Sequence, residues 1–322
     1  MYTEDVYAGF PLLLVKKVER ENLMIENINW YPGHMKKTRE LIEANLKMVD
    51  AVIEVVDSRI PISSRNPIID ELIQNKQRIM VLNKSDLSDE SANKEWGAYF
   101  KKSGNIVLEM DSNRGIGVKD LYKILTKLQT EKNKDKVLKK PLRIMIVGVP
   151  NVGKSSLINR MTGKRSAKTG DKPGVTKGKQ WLALENGMQL LDTPGILWPK
   201  FEDPEVGLNL AFCGSIKDEI LDVPDLCLEL IKVLSKEYPE LLISRYKLDE
   251  LEQSGNYSES LGRELETEQD VALANMEKIA KKRGFILSGG RIDYERTGKI
   301  VLDEFRSSLI GKITLEKVDE IK

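Results

Sequence analysis

Residues 148–155 of this 322-residue chain, Gly-Val-Pro-Asn-Val-Gly-Lys-Ser, follow directly on a largely apolar run at residues 142–147. Glycines at the first and sixth positions let the backbone curl around a phosphate group where a Cβ atom would clash. The lysine can reach the β- and γ-phosphates of a nucleotide, and the serine hydroxyl can ligate Mg²⁺. The pattern therefore predicts a strand that leads through a phosphate-binding loop into a helix, which restricts the chain to an α/β fold.

Apolar, β-branched runs that end in polar clusters occur three more times before this loop. Amphipathic segments separate the runs, so strands and helices alternate along the chain. This alternation predicts a doubly wound, mostly parallel sheet with helices on both faces, in which ligands bind at the carboxyl ends of the strands. The runs are residues 51–56, 78–82 and 106–110, and the polar clusters are residues 57–61, 83–86 and 111–112.

The second polar cluster, Asn83-Lys84-Ser85-Asp86, predicts which base the nucleotide carries. An aspartate carboxylate can accept hydrogen bonds from N1 and N2 of guanine, a pair of donors that adenine lacks. Because a carboxylate left unpaired against adenine is costly, Asn83 and Asp86 favour GTP and GDP over ATP. A plain polar turn is the alternative interpretation of the same four residues.

Downstream of the phosphate loop, the sequence predicts a helix and then a β-hairpin. Strands at 180–185 and 188–191 are joined by Asn186-Gly187, a pair typical of tight hairpin turns. The second strand ends at Asp192-Thr193-Pro194-Gly195. Asp192 can hold the Mg²⁺ shell, the N–H group of Gly195 can approach the γ-phosphate, and Thr176 offers Mg²⁺ a second hydroxyl.

The order of these segments is unusual, because the base-recognition clusters precede the phosphate loop instead of following it. The chain resembles the circularly permuted GTPases, and within them the ribosome biogenesis GTPase A (YlqF) type. The resemblance implies a circularly permuted P-loop GTPase fold followed by a helical C-terminal domain, and it covers the chain from about residue 28 onward. It is carried by the permuted nucleotide motifs, the C-terminal segment, Trp30-Tyr31-Pro32-Gly33-His34-Met35 and Asp57-Ser58-Arg59-Ile60-Pro61.

The resemblance also implies GTP and GDP as ligands, with Mg²⁺ and K⁺ as cofactors. Ser155, Thr176 and Asp192 stand at the Mg²⁺ positions, and Asn151 stands where related GTPases hold K⁺. The base loop Asp111-Ser112-Asn113 departs slightly from the usual Ser-Ala pattern. The expected nucleotide-binding residues are Asn83, Lys84, Asp86, Asp111, Ser112, Pro150, Asn151, Val152, Gly153, Lys154, Ser155, Ser156, Thr176 and Gly195.

The residue after the Asp-x-x-Gly segment is Ile196, where conventional GTPases place a glutamine that orients the attacking water. Another group must therefore position the water, or a partner must complete the site. Asn151, through K⁺, and His34, the only histidine in the chain, are the two candidates. For His34, a surface or capping role is the alternative. The expected catalytic residues are His34, Asn151, Lys154, Thr176 and Gly195.

Three parts are expected along the chain. Residues 1–26 form a leader that contains Met24, which is either the natural start or part of a flexible arm. Residues 27–200 form the permuted GTPase domain, and residues 201–322 form a helical domain. From residue 277 to 312, nine Lys and Arg residues outnumber five acids, although the whole chain carries a net charge of only +1.

This local excess suggests a surface for a phosphate backbone, although a solvated helix face shows the same charge pattern. The resemblance strengthens the first interpretation, since it implies that the helical domain binds ribosomal RNA (rRNA). It also implies that five residues of this region match positions of the family, namely Arg283, Gly284, Gly289, Gly290 and Arg306.

We therefore expect a GTP hydrolase that acts as a switch in assembly of the large (50S) ribosomal subunit, with hydrolysis stimulated by that subunit. The alternatives are a GTP-dependent RNA-binding module whose hydrolysis is incidental, and a GTPase that serves another RNA or a membrane-linked partner. The two cysteines lack metal-ligand spacing, and no apolar run approaches about 18 residues. We expect a cytoplasmic protein, monomeric in solution and without a membrane partner.

Overall fold

The first part of the chain is built on six strands: β1 (Ala51–Asp57), β2 (Gln77–Asn83), β3 (Ile106–Met110), β4 (Arg143–Val147), β5 (Gln180–Ala183) and β6 (Gln189–Asp192). They form one sheet in the order β3-β2-β1-β4-β6-β5. All neighbours are parallel except β5 and β6, which form the predicted antiparallel hairpin. The expected α/β fold with a mostly parallel sheet is confirmed.

Every residue of β1 is buried, so both faces of the sheet are covered, and the cover comes from helices that have an apolar side to bury. They are α1 (Pro67–Ile73), α2 (Glu90–Lys102), α3 (Val118–Lys132), α4 (Lys154–Thr162) and α5 (Pro204–Phe212). Ile42, Leu46 and Ile69 belong to a core cluster that also contains residues of β1, β4 and β6. A separate cluster joins Trp96 and Phe100 of α2 to residues of β1 and β2.

The computed structural model describes residues 39–40, 42–73, 76–163, 180–192, 203–258 and 261–321. Within them, contacts divide the chain into two units. One unit, named the GTPase unit after the expected permuted domain, contains the sheet, the residues up to Ile216 and the residues from Lys312 onward. The other, the helical unit, is Lys217–Gly311. Residues 203–216 and 312–321, which the sequence assigned to the helical domain, thus pack with the sheet. The expected leader lies outside the described residues.

The helical unit consists of α6 (Val223–Glu237), α7 (Pro239–Tyr246), α8 (Glu268–Arg283), α9 (Tyr294–Arg306) and the short hairpin strands β7 (Tyr257–Ser258) and β8 (Arg263–Glu264). The central helix α6 packs against both α8 and α9. Its buried side includes Leu226, Leu230, Ile231 and Leu234. After the hairpin, α8 begins with a capping box of Thr267 and Asp270.

Among the described residues, no helix is long and apolar enough to cross a membrane.

Candidate nucleotide site

The order of the strands reverses between β1 and β4, since β2 and β3 lie on one side of β1 and β4 lies on the other. Open parallel sheets bind ligands in the crevice at such a switch point, beyond the carboxyl ends of the strands. β4 leads directly into residues 148–153, and these connect to the start of α4. The phosphate loop therefore lies where the fold places a ligand.

Residues 148–153 leave β4 and enter α4 at Lys154. Gly153 has a φ of 97°, a left-handed conformation that favours glycine. The side chain of Lys154 is buried, and its ammonium group donates to the backbone oxygen of Val149. Ser155 and Ser156 follow in the first turn of α4, where helix N–H groups and the helix dipole favour an anion.

Asn83, at the end of β2, joins the base loops to the phosphate loop. Its side-chain amide donates to the oxygen of Val152 at 2.7 Å. Its side-chain oxygen accepts two hydrogen bonds from Ser112, one from the N–H at 3.0 Å and one from the hydroxyl at 2.7 Å. Because Asn83 is buried, these bonds hold three separate segments of the chain in one arrangement.

The loop after β3 is closed by Asp111. Its N–H pairs with the oxygen of Ile116, and its carboxylate accepts the N–H groups of Asn113 and Arg114, each at 3.0 Å. A short carboxylate that accepts hydrogen bonds from the next N–H groups is the usual way to close such a turn. Asp111 thus shapes the loop that presents Ser112 to Asn83.

Lys84 follows Asn83 in a left-handed conformation with a φ of 60°, which is uncommon for lysine. Its ammonium group lies 3.0 Å from the carboxylate of Asp57, which also accepts Nε and Nη2 of Arg59 at 2.9 and 2.7 Å. Burial alone would raise the pKa of Asp57, but the charges of Arg59 and Lys84 hold it well below its usual value. Asp57 is therefore ionised at neutral pH. Asp86, two residues beyond Lys84, is partly buried.

A turn after α5 contacts the phosphate loop from within the GTPase unit. The side-chain amide of Asn151 donates to the oxygen of Gly214 at 3.1 Å, and the hydroxyl of Ser215 donates to the oxygen of Pro150 at 3.0 Å. Asn151 is exposed and has a φ of 61°. The contact orients its side chain, because the amide nitrogen is directed to Gly214 and the side-chain oxygen keeps its capacity as an acceptor.

Several expected site residues lie outside the described residues, namely His34, Thr176 and Gly195. For Asp192 the structure describes the backbone, which ends β6. β6 is parallel to β4, with Met145 opposite Leu191, so Asp192 stands at the same carboxyl edge as the phosphate loop. A carboxylate at this edge and the Ser155 hydroxyl are both hard oxygen donors, which fits the predicted Mg²⁺ site.

The phosphate loop at the switch point, the base loops that precede it in the chain and the parallel sheet define a circularly permuted P-loop GTPase. Comparisons with known proteins agree with this class. Residues 143–256 match the family described as 50S ribosome-binding GTPase. The chain is 45% identical to ribosome biogenesis GTPase A of Bacillus cereus over 297 residues, which cover 91% of this chain and 95% of that protein.

More distant relatives are also similar along most of their length. Mouse mitochondrial ribosome-associated GTPase 1 is 32% identical, over 89% of this chain and 90% of that protein. The GNP-bound crystal structure of YlqF from Thermotoga maritima has a TM-score of 0.59 and 28% identity, and covers 88% of this chain and 100% of its own. The chain belongs to the ribosome biogenesis GTPase A family, and by that membership it is a GTPase.

Sequence reasoning did not find every residue that holds this site together. It noted Asp57 and Arg59 as a polar cluster at a strand end, but it assigned them no partner. It found no role for Ser215 or for Glu316, because both lie far along the chain from the loops that they contact. Only the pair Asp57 and Arg59 could have been recognised from the sequence, since two opposite charges directly after a buried apolar strand are costly unless they pair with each other.

Proposed function

We propose that the protein is a GTP-driven switch in assembly of the large ribosomal subunit, which it contacts through rRNA bound by the helical unit. The exposed cations in the last turn of α8 and in the loop before α9 are the observation that carries the rRNA contact. The family supports the choice of partner, because its matched description names a 50S ribosome-binding GTPase. We place this activity in the cytoplasm and expect a monomer in solution.

The charge of the helical unit is strongly divided along its sequence. Residues 217–276 carry fifteen acidic and six basic side chains, whereas residues 277–311 carry five acidic and eight basic ones. Since the unit as a whole is acidic, attraction to RNA must come from a local surface. That surface contains the end of α8 and the loop that follows it.

Two of the arginines in this region are engaged in ion pairs within the protein. Arg283 pairs with Glu304, which also pairs with Arg245. Arg306 makes two hydrogen bonds to Asp218, at 2.7 and 2.8 Å. These arginines therefore stabilise the helical unit. The proposed RNA contact depends on other cations of the same region, Lys281, Lys282 and Arg291.

We define the basic loop surface by Lys281, Lys282 and Arg291. All three side chains are exposed, as are the glycines at 289 and 290 between them. Ile286 and Leu287 in the same loop are 41% and 45% exposed. Exposed cations can contact the phosphates of an RNA backbone, and the exposed apolar side chains beside them can contact the neighbouring bases or sugars. Lys312, which the sequence counted with this group, packs with the GTPase unit.

The triple variant Lys281→Ala, Lys282→Ala, Arg291→Ala tests this surface. Loss of three phosphate contacts should weaken rRNA binding by roughly ten- to a hundredfold and lower the slope of log affinity against log salt by about two to three. A binding titration with rRNA at several salt concentrations measures both. The matched control replaces three exposed lysines of the GTPase unit, Lys134, Lys136 and Lys139, with alanine. Equal losses in the two triple variants would contradict the proposal.

In the proposed reaction, Lys154 and the N–H groups of the phosphate loop bind and orient the phosphates. Ser155, Thr176 and Asp192 would hold Mg²⁺, and Asn151 would hold K⁺ with its side-chain oxygen. When bound, the two cations neutralise charge that develops on the phosphates. His34 is proposed to orient the attacking water, with Thr176 and Gly195 closing around the γ-phosphate. Release of Gly195 after hydrolysis would then alter the segment that leads to the helical unit.

Turnover measured with and without purified large subunits in K⁺ buffer tests the switch. Because Ile196 cannot orient water, we expect slow hydrolysis alone and a stimulation of roughly tenfold or more by large subunits, with none by small subunits. Equal rates would favour the second candidate, a GTP-dependent RNA-binding module with incidental hydrolysis. The same Ile196 supports that candidate, since a binding module needs no water-orienting group.

A further inference from the structure

After the helical unit ends, the chain returns to the GTPase unit at Lys312. We name residues 313–316 the C-terminal strap. Ile313 donates its N–H to the oxygen of Leu87 at 3.2 Å, and the hydroxyl of Thr314 accepts the N–H of Asp89 at 3.1 Å. The loop that follows the Asn-Lys-x-Asp cluster is thereby held by the strap within one to three residues of Asp86.

The second half of the strap holds the loop after β1. Leu315 donates its N–H to the oxygen of Arg59 at 2.8 Å. The Glu316 carboxylate accepts the N–H groups of Ile62 and Ser63 at 2.6 and 2.8 Å, and it also accepts the Ser63 hydroxyl. One carboxylate therefore closes the turn of this loop from a position more than 250 residues away in sequence.

Other parts of the GTPase unit keep Glu316 in place. Its backbone oxygen accepts the indole N–H of Trp96 at 3.0 Å, and its carboxylate lies 3.5 Å from the side-chain amide of Asn209. Burial raises the pKa of Glu316 to about 7, against the hydrogen bonds of Ser63 and Ile62 that lower it. Burying the carboxylate of Glu316 is costly, and donors from three segments of the chain contact this residue. Glu316 is therefore an ordered part of the site edge.

The two loops under the strap meet at the buried ion pairs described above. Arg59, whose backbone the strap holds, forms a two-pronged contact with Asp57, and Asp57 contacts the ammonium group of Lys84. Lys84 lies between Asn83 and Asp86 in an uncommon backbone conformation that its surroundings must maintain. A contact chain thus runs from the strap through Arg59 and Asp57 to the base-recognition cluster, and a second one runs through Leu87.

From this geometry we infer that the C-terminal strap is a positioning element of the guanine site. It orients the Asp86 carboxylate through contacts with Arg59, Asp57 and Lys84. The inference rests on guanine recognition by Asp86 and not on the choice of ribosomal partner.

Discrimination between GDP and inosine diphosphate tests this inference. Inosine diphosphate lacks the N2 amine, so its affinity relative to GDP reports how well Asp86 meets that one donor. The wild-type chain should prefer GDP by roughly tenfold or more, as one hydrogen bond to a charged group allows. In Glu316→Ala the preference should fall towards one, and Glu316→Gln, which keeps an acceptor for the loop N–H groups, should restore most of it.

The ratio of GDP affinity to inosine diphosphate affinity separates an effect on positioning from an effect on stability, because partial unfolding lowers both affinities by the same factor. Lys312→Ala, which removes an exposed ion pair with Glu90 beside the strap, serves as the control and should keep the wild-type ratio. If Glu316→Ala does not fold, Thr314→Val serves as the test variant. It removes the hydroxyl that accepts the N–H of Asp89 but keeps the shape of the side chain, and the preference for GDP over inosine diphosphate should fall a few-fold. A wild-type ratio in the folded variant overturns the inference. Equal turnover with and without subunits would refute the ribosomal proposal and leave this ratio untouched.

Discussion

Asp86→Asn is expected to convert the protein from a guanine-nucleotide to a xanthine-nucleotide binder. The carboxylate of Asp86 can only accept hydrogen bonds, which matches N1–H and N2–H of guanine. An asparagine amide presents one donor and one acceptor, which matches the N1–H and the C2 oxygen of xanthine. GDP affinity should fall by on the order of a hundredfold or more, since two charge-assisted hydrogen bonds are lost and a donor faces a donor.

Titration with GDP and xanthosine diphosphate measures both halves of this change. Asp120→Asn makes the same chemical replacement at an exposed position in the first turn of α3, and its GDP affinity should match that of the wild-type chain. Loss of GDP binding without any gain for xanthosine diphosphate would show that Asp86 supports the loop instead of reading the base.

Gly153→Ala should weaken nucleotide binding severely by moving the base loop and the phosphate loop apart. A Cβ atom at this position would lie 2.2 Å from the side-chain nitrogen of Asn83, which donates to the oxygen of Val152. The φ of 97° adds strain for any residue with a Cβ. Asn83 must move, and its buried hydrogen bonds to Val152 and Ser112 break with it, so GDP affinity should fall by roughly a hundredfold or more.

Gly163→Ala is the matched control, because Gly163 also adopts a left-handed conformation but no atom of the described residues lies within 4 Å of the added Cβ. It ends α4, and the replacement should cost only about 1 kcal/mol of stability with little change in GDP affinity. Calorimetric titration and thermal unfolding of both variants separate the two effects. Similar GDP affinities in the two variants would mean that the contact of Asn83 with the phosphate loop does not organise the site.

The strands of the sheet were predictable because each signal is local. The β-branched runs before residues 57, 83 and 111 need only their own composition to form buried strands, and all three occur within a residue or two of the predicted bounds. The hairpin was predicted from Asn186-Gly187, but β5 ends at Ala183 and β6 begins at Gln189. Residues 185–187 form a 3₁₀ turn, in which Asn186 adopts a left-handed conformation, so the turn takes more residues than a two-residue hairpin.

The division of the chain was harder to predict, because it depends on contacts between distant segments. Composition changes after residue 199, yet α5 packs with the sheet and its Asn209 donates to the hydroxyl of Ser63 at 3.2 Å. The strap likewise carries no periodic pattern that marks it as part of the GTPase unit. Contacts between residues far apart in the chain, whether made by side chains or by backbone groups, leave no local pattern in the sequence, which is why these assignments required tertiary structure.

Residue types at short, regular spacing were enough to predict the class of fold, the phosphate loop and a cluster suited to guanine. Three further features became visible in the folded chain: Asn83 joins the loops, Asp57 and Arg59 hold Lys84, and Glu316 closes the edge of the same site. The physical reason is that a buried charge or an uncommon backbone conformation is tolerated only where partners surround it. Here those partners come from segments as far apart as β1 and the end of the chain.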